Sequence, residues 1–359
     1  MPTPTKVAII GAAGYSGGEL ISILLNHPHA EIVGLFGSGR SDKPTNIADL
    51  HPHLRSRIDL DVRPAELNAL KETNADAVFL ATPHEASIHW VQDLRSLPRA
   101  PKLLDLSGAF RLPASLYPKF YGFEHEHPDL LKLAVYGLPE LNRAKIKTAS
   151  LIAVPGCYPT SAILPIAPLA RAGAVRTGTR IIIDSTSGVS GAGRSPTTKS
   201  LFCEVSLQPY NVLKHRHNPE INIHSGANTL FTPHLGPYAR GILSTIHIDL
   251  SEGTGGWPTH RIAETLAAAY ANEPFIRLYN SERQGWPSIA AVERTNFCDI
   301  AFALDEQHRH LIVVSAIDNL VKGAAGQAVQ CFNLLFNYPE TTALLSRFPS
   351  PREVAGVTE

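Results

Sequence analysis

The passage from Lys6-Val7-Ala8-Ile9-Ile10 into Gly11-Ala12-Ala13-Gly14-Tyr15-Ser16-Gly17-Gly18 does most to limit the fold. A short apolar, β-branched run reads as a buried strand, and the glycines follow it directly. From Glu19 the apolar residues Leu20, Ile21, Leu24 and Leu25 fall at i, i+1, i+4 and i+5, one face of a helix. Strand, glycine turn and helix in that order let the backbone approach a pyrophosphate at the helix N-terminus, where unpaired N–H groups and the dipole favour an anion. The spacing is GxxGxxG rather than GxGxxG, and glycine turns also serve plain packing. Gly11, Gly14, Tyr15, Ser16 and Gly17 are the candidates for cofactor contact.

The alternation continues. Glu31–Phe36 is a second strand, and the turn after it reads Gly37-Ser38-Gly39-Arg40-Ser41. An NAD site usually offers a carboxylate there for the ribose hydroxyl, whereas an NADP site offers Arg and hydroxyls for the 2′-phosphate. Ser38, Arg40 and Ser41 therefore favour NADP over NAD, the alternative being a solvated polar loop. Ala77–Leu80 is a strand that runs through Ala81 into the turn Thr82-Pro83-His84, with a helix following through Ile88, Val91 and Leu94; Lys102–Ser107 is another strand. Strand and helix in turn give a mostly parallel sheet with ligands at the strands' carboxyl ends. His84, Ser107 and Arg111 then lie at the ligand edge. A guanidinium at Arg111 either grips phosphate or carboxylate in a bidentate way or makes a surface salt bridge.

Between Lys147 and Arg171 no charged residue occurs, and hydropathy alone would suggest a membrane span. Pro155, Gly156, Pro159, Pro165 and Pro168 break it into a buried strand, a turn and an irregular or kinked helix. Cys157 stands at that strand-to-helix junction. The helix terminus should let its thiol ionise more easily than a free one, which makes it a nucleophile; a small buried packing cysteine is the alternative. The other cysteines, 203, 298 and 331, are far apart with no CxxC pair, which argues against a zinc ribbon or a disulfide framework. With no secretory leader ahead of Val7, the expectation is a cytoplasmic protein. Apolar residues make up 44% and charged ones 18%, as in a soluble globular chain, and 359 residues suggest two domains. Lys plus Arg and Asp plus Glu balance at 32 each, so nothing favours nucleic acid or an anionic membrane as partner.

After Cys157 long strands dominate: Arg180–Asp184, Ile242–Leu250, Phe297–Phe302 and Leu311–Ser315, with one clear helical pattern through Ile262, Leu266 and Tyr270. That suggests an α+β domain around a mixed or antiparallel sheet, one face buried and the other available to a second subunit. A last amphipathic helix, Ala324 to Phe336, is expected to return to the first domain. Two polar clusters stand out. Ser185 to Arg194 follows a strand with many N–H groups, hydroxyls and a cation, and suits an anion or a cofactor amide. Lys214-His215-Arg216-His217-Asn218-Pro219-Glu220 places two imidazoles among cations, and one of them can shuttle a proton near neutrality. HxH also occurs in zinc sites, but no further ligands accompany it, so no metal is expected.

Taken together, Gly11 to Gly18, Ala81 to His84, Asp105 to Arg111, Tyr136-Gly137-Leu138-Pro139-Glu140, Pro155 to Thr160, Ser187 to Arg194, His215 to Ile221 and Asn319 to Gln327 resemble the N-acetyl-γ-glutamyl-phosphate reductase family of the semialdehyde dehydrogenase group. Pro-Gly-Cys-Tyr-Pro-Thr and His-Arg-His-x-Pro-Glu-Ile are specific to it; the glycine loop is widely shared. Glu85 departs from the pattern, standing where a glycine is expected after Pro-His.

The resemblance implies an α/β chain with a Rossmann-type NADP-binding domain over residues 1–156, an α+β mixed-sheet catalytic and dimerisation domain over 157–318, and a C-terminal helix in 319–359. It implies a homodimer or homotetramer acting on a small molecule. NADP(H) would meet the glycine loop, Thr82, Pro83, His84, Ser187, Gly188, Ser190, Gly191, Asn319 and Gly323. Cys157 would form a thioester from an acyl phosphate, with His217 favoured over His215 as acid/base. Ser107, Arg111, Tyr158, Arg194, Lys199, Arg216 and Glu220 would surround the substrate, with phosphate and α-carboxylate undivided among the cations. Three alternatives remain: an aspartate semialdehyde dehydrogenase-type substrate, a carrier-protein-linked aminoadipyl or glutamyl phosphate, and a non-catalytic dinucleotide sensor in which Cys157 is structural.

Overall fold

The computed structural model describes residues 3–38, 43–252 and 255–345. Thr5–Ile10 is almost wholly buried and lies between the parallel strands Ala30–Phe36 and Ala77–Leu80. The sheet runs in the spatial order Thr45–Asn46, Asp61–Arg63, Ala30–Phe36, Thr5–Ile10, Ala77–Leu80, Lys102–Asp105, Leu151–Ala153, Ala134–Tyr136. Only its Thr45–Asn46 edge is antiparallel. The second strand lies on one side of Thr5–Ile10 and the later ones on the other, so the order reverses there, where an open sheet leaves a ligand crevice. Gly11 leaves that strand at φ +89°, and a Cβ on it would stand 2.2 Å from the Ala81 carbonyl oxygen. Only glycine fits. The helix Tyr15–Leu24 begins at once, capped by Gly14.

The second sheet is mixed. Its order is Gln208–Pro209, Thr229–Gly236, Ile181–Gly188, Ile242–Asp249, His310–Ile317, Cys298–Asp305, Ile276–Leu278. Thr229–Gly236 pairs parallel with Ile181–Gly188, and the three long strands that follow in the sheet are antiparallel. One face packs Ile183, Ile246 and Val313 against Ile163 and Ile166 of the helix Cys157–Arg171. On the other face Ile182, Leu243 and Val314 alternate outwards, half-buried.

Contrary to the sequence expectation, Cys157–Arg171 is one α-helix of 15 residues in spite of Pro165 and Pro168. Each proline removes the N–H that would have bonded the carbonyl four residues earlier. The freed Ser161 carbonyl accepts from Ser315 Oγ at 2.7 Å, and the freed Leu164 carbonyl accepts from the Tyr270 hydroxyl. The hydroxyls of neighbouring elements restore the missing bonds. At the end of the chain a π turn, Val321–Ala325, leads into the helix Gly326–Leu335. Val329 and Phe332 of that helix join Val7, Ile9 and Leu20 in one core. No helix among the described residues is long and apolar enough to cross a membrane.

Candidate active site

Cys157 is the first residue of its helix, after the turn that follows Leu151–Ala153. The Gly156 N–H just before it donates to Glu220 Oε1 at 2.9 Å, and the Tyr136 hydroxyl donates to the same oxygen at 2.8 Å. Arg111 Nη1 stands 3.5 Å from Glu220 Oε2. Arg111 is itself fixed, with Nε donating to the Val154 carbonyl and Nη2 to the Leu106 carbonyl, both at 2.7 Å. A Cβ on Gly156 would lie 2.6 Å from His217 Nε2 and 2.9 Å from Arg111 Nη1, so imidazole and guanidinium both rest on this glycine. The cysteine is partly buried. Burial pushes its thiol up, against the Tyr158 N–H and the Arg111 charge that pull it down. The sequence expectation of an easily ionised thiol is thereby reversed in the free protein, because loss of water outweighs the helix terminus.

His217 opens the next helix, His217–Ser225, and its backbone N–H donates to His215 Nδ1 at 3.1 Å. A neutral His215 therefore carries its proton on Nε2. Burial holds His217 well below the usual imidazole range, helped by the charges of His215, Arg111 and Arg216. Burial and Arg216 bring His215 down to about 4. His84 is down to about 3 through burial and the Arg216 and Arg111 cations, and its Nδ1 accepts the Gly108 N–H at 2.9 Å. All three rings are neutral at pH 7. His217 Nδ1 is buried with no hydrogen-bond partner. Among the described residues no three His, Cys, Asp or Glu are grouped to hold a metal ion.

Two cavities of about 350 Å³ each meet at Cys157, with Gly191, Arg216 and His217 also lining both. The first runs along the glycine loop past Gly14, Tyr15, Ser16 and Gly17, then Thr82, His84, Ser107 and Arg111, to Ser190, Arg194, Asn319 and Gly323. The second is walled by Tyr158, Ser187, Gly188, Lys199, Gln208, Tyr210, Lys214 and His215. A long cleft and a separate pocket thus converge on one thiol, which would let two ligands meet at the Cys157 sulfur.

Several expected contacts shift accordingly. Ser187 and Gly188 line the second cavity rather than the cleft. Ser107 and Arg194 line the cleft rather than the pocket; Arg194 donates to the Ala13 and Leu50 carbonyls at 2.7 and 2.8 Å. Glu220 lines neither, since its oxygens are taken up by Gly156, Tyr136 and Arg111, and it holds the cysteine turn instead of a substrate. Gly11 lies beneath the cleft against Ala81, and Pro83 caps the helix His84–Arg95 outside it. Glu85 sits in the first turn of that helix, so the departure from glycine leaves an ordinary helical start. Ser38 lies in the bend two residues after the strand Ala30–Phe36, outside both cavities, and Arg40 and Ser41 lie outside the described residues. Sequence reasoning did not pick out Gln208 or Tyr210, which lie in and just after the two-residue edge strand Gln208–Pro209, too short to leave a pattern of its own. Lys214 was visible only as part of a cationic cluster. The cations lining the second cavity are Lys199, Lys214 and Arg216, and no Asp or Glu is among its described lining residues.

A family model described as semialdehyde dehydrogenase, NAD binding domain, matches residues 6–149, and one described as semialdehyde dehydrogenase, dimerisation domain, matches 157–319. The chain is 48% identical over 342 residues to the N-acetyl-gamma-glutamyl-phosphate reductase of Salmonella typhimurium, covering 94% of this chain and 98% of that one. It is 47% identical over 341 residues, with the same coverage, to the enzyme of that name from Escherichia coli K12. An aspartate semialdehyde dehydrogenase II from Vibrio cholerae has the same fold, with a TM-score of 0.68 at 16% identity over 93% of this chain and 99% of that one. An aspartate semialdehyde dehydrogenase with NADP from Candida albicans matches with 0.66 at 15% over the same shares. The chain is thus an oxidoreductase with an NAD(P)-binding domain, and with its cleft and pocket converging on Cys157 it belongs to the N-acetyl-γ-glutamyl-phosphate reductase family of the semialdehyde dehydrogenases.

Proposed function

We propose that the chain reduces N-acetyl-γ-glutamyl phosphate to N-acetylglutamate 5-semialdehyde and phosphate, with NADPH as reductant and a Cys157 thioester as intermediate, in arginine biosynthesis. The charge of the second cavity carries this reading. Three cations and no carboxylate suit a substrate with phosphate, α-carboxylate and a neutral amide, and oppose the free α-ammonium of an aspartyl phosphate.

The cleft fits a dinucleotide. Gly14 has φ −76°, and the nearest atom to a Cβ there is 3.5 Å away, so neither strain nor packing requires glycine; the room above it faces the cleft. NADPH bound there supplies the hydride. The turn Ser38 to Ser41 favours the 2′-phosphate form. The Cys157 sulfur attacks the acyl carbon as neutral His217 takes the thiol proton, and the carbon–oxygen bond to phosphate breaks. Arg216 lines both cavities beside the sulfur and offers charge to the departing phosphate. After reduction of the thioester, the His217 imidazolium protonates the oxygen; His217 takes that proton back as the carbon–sulfur bond breaks with its electron pair going to sulfur, the aldehyde leaves, and the proton returns to the Cys157 sulfur. The open face of the second sheet is where a second copy would pair.

The test is the reverse reaction. Native protein given NADP, N-acetylglutamate semialdehyde and phosphate is expected to form NADPH, and Cys157→Ser to lose about 1,000-fold or more. Faster turnover of aspartate semialdehyde, or NADPH formation that persists without phosphate, would overturn the proposal.

A further inference from the structure

Gly323 is pressed against the nucleophile. A Cβ there would lie 2.7 Å from the Cys157 Cβ and 3.1 Å from its Cα. The backbone that carries it is a π turn, because the Gly323 N–H donates to Asp318 O at 2.9 Å and the Ala325 N–H to Leu320 O at 2.8 Å, both i to i−5. Such turns are rare and persist where the surroundings over-determine them. The Asp318 carboxylate fixes the start, accepting the N–H groups of Leu320 and Val321 at 2.8 and 3.0 Å. Lys322 fixes the middle.

Lys322 and Glu140 have wholly buried side chains, paired at 2.6 Å. Lys322 Nζ also donates to Gln330 Oε1 at 2.8 Å, while Glu140 Oε2 has no partner. A well-packed apolar pair is commonly at least as stable as a buried ion pair, so stability alone does not account for these charges. Their place in the fold does. Glu140 ends the five-residue segment that Tyr136 begins, and the Tyr136 hydroxyl supports Glu220, which holds the Gly156 N–H. One short segment thereby reaches the Cys157 backbone from two sides, through Gly156 and through Gly323.

We infer that the Glu140–Lys322 pair is a positioning device for Cys157, locking the π turn in the register that seats Gly323 against the nucleophile and lays Asn319 along the cofactor cleft. It rests on Cys157 being the reacting thiol and is indifferent to which acyl phosphate is the substrate.

Two variants test it. Glu140→Gln keeps the shape and one acceptor but removes the charge; Glu140→Gln with Lys322→Met leaves no stranded ion. Folding is followed by thermal melting, Cys157 by its iodoacetamide alkylation rate across pH, and the cleft by NADPH titration, none of which needs substrate. In both variants kcat is expected to fall about 10- to 100-fold with the KM for the acyl phosphate changed less than about threefold. The pH midpoint of Cys157 alkylation should shift, and NADPH should bind more weakly. Native kcat and a native alkylation profile in either folded variant would overturn the inference. An altered alkylation profile in protein whose native form is inactive on N-acetylated substrate would instead uphold it and count against the proposed substrate.

Discussion

Cys157 is caught between two opposed effects of one fold. The helix that starts at the cysteine presents N–H groups and a favourable dipole, while packing against Gly323, Gly156 and His217 strips away water. Burial prevails. Because the thiolate is the reactive form, the alkylation rate of Cys157 in the free protein should rise about tenfold per pH unit, with a midpoint above the ordinary free thiol at about 8.5. Mass-spectrometric quantification of the labelled peptide from pH 6.5 to 10 measures this, and a midpoint near 7 would show that the helix terminus prevails after all. What the sequence disclosed at this scale was the chemically distinctive groups, a cysteine in a proline-glycine turn and two imidazoles among cations. Glu220 was misjudged because a carboxylate that bonds an N–H group 64 residues away looks, in a sequence, like one facing a substrate.

At the scale of elements, the glycines of the stretch Gly11 to Gly18 do different work. A Cβ on Gly17 would lie 2.4 Å from the Gly11 carbonyl oxygen and 2.7 Å from the Ala12 Cα, whereas one on Gly14 would meet only ordinary contact at 3.5 Å. Gly17→Ala should therefore lose stability by about 1–3 kcal/mol through overpacking. Gly14→Ala should melt within a few degrees of the native protein yet bind NADPH about tenfold more weakly or worse, because the added methyl group occupies the cofactor's approach. Differential scanning fluorimetry with and without NADPH separates the two, and undiminished NADPH affinity in Gly14→Ala would place the cofactor elsewhere. The strand–turn–helix alternation was legible because its period is local. Thr229–Gly236 was not recognised as a strand, since Pro233 interrupts it and its support, the parallel partner Ile181–Gly188, is distant in sequence. The unbroken helix Cys157–Arg171 was misread for a similar reason, as the hydroxyls that satisfy its freed carbonyls belong to Ser315 and Tyr270.

The whole molecule adds what neither domain holds alone, because the cleft joins Gly14 of one sheet's loop to Cys157 and Asn319 beside the other. Arg240 ties the two together, donating to Glu19 Oε2 at 2.9 Å and to Asp318 Oδ2 at 3.0 Å. Burial has a further consequence spread over both domains. It lowers the pKa values of seven histidines: His27, His51, His84, His125, His215, His217 and His224. Below the unfolded value of about 6.5 the unfolded chain takes up protons that these folded rings refuse, so acid favours unfolding. Each ring contributes up to about 1.4 kcal/mol per pH unit between 6.5 and its own folded pKa, and nothing above that window. Asp105, whose buried carboxyl is pushed up, acts in the opposite sense, as one group against seven. The protein should melt at a nearly constant temperature from pH 8 to 7, then lose several degrees for each pH unit below about 6.5. The steepest part should lie well above the ordinary carboxylate range, which distinguishes it from common acid denaturation. Urea titrations at pH 7.5, 6.5 and 5.5 check the sign directly. Equal midpoints at all three would mean that the histidines can be protonated within the fold, and that the neutral His217 required at the nucleophile is not secured by burial.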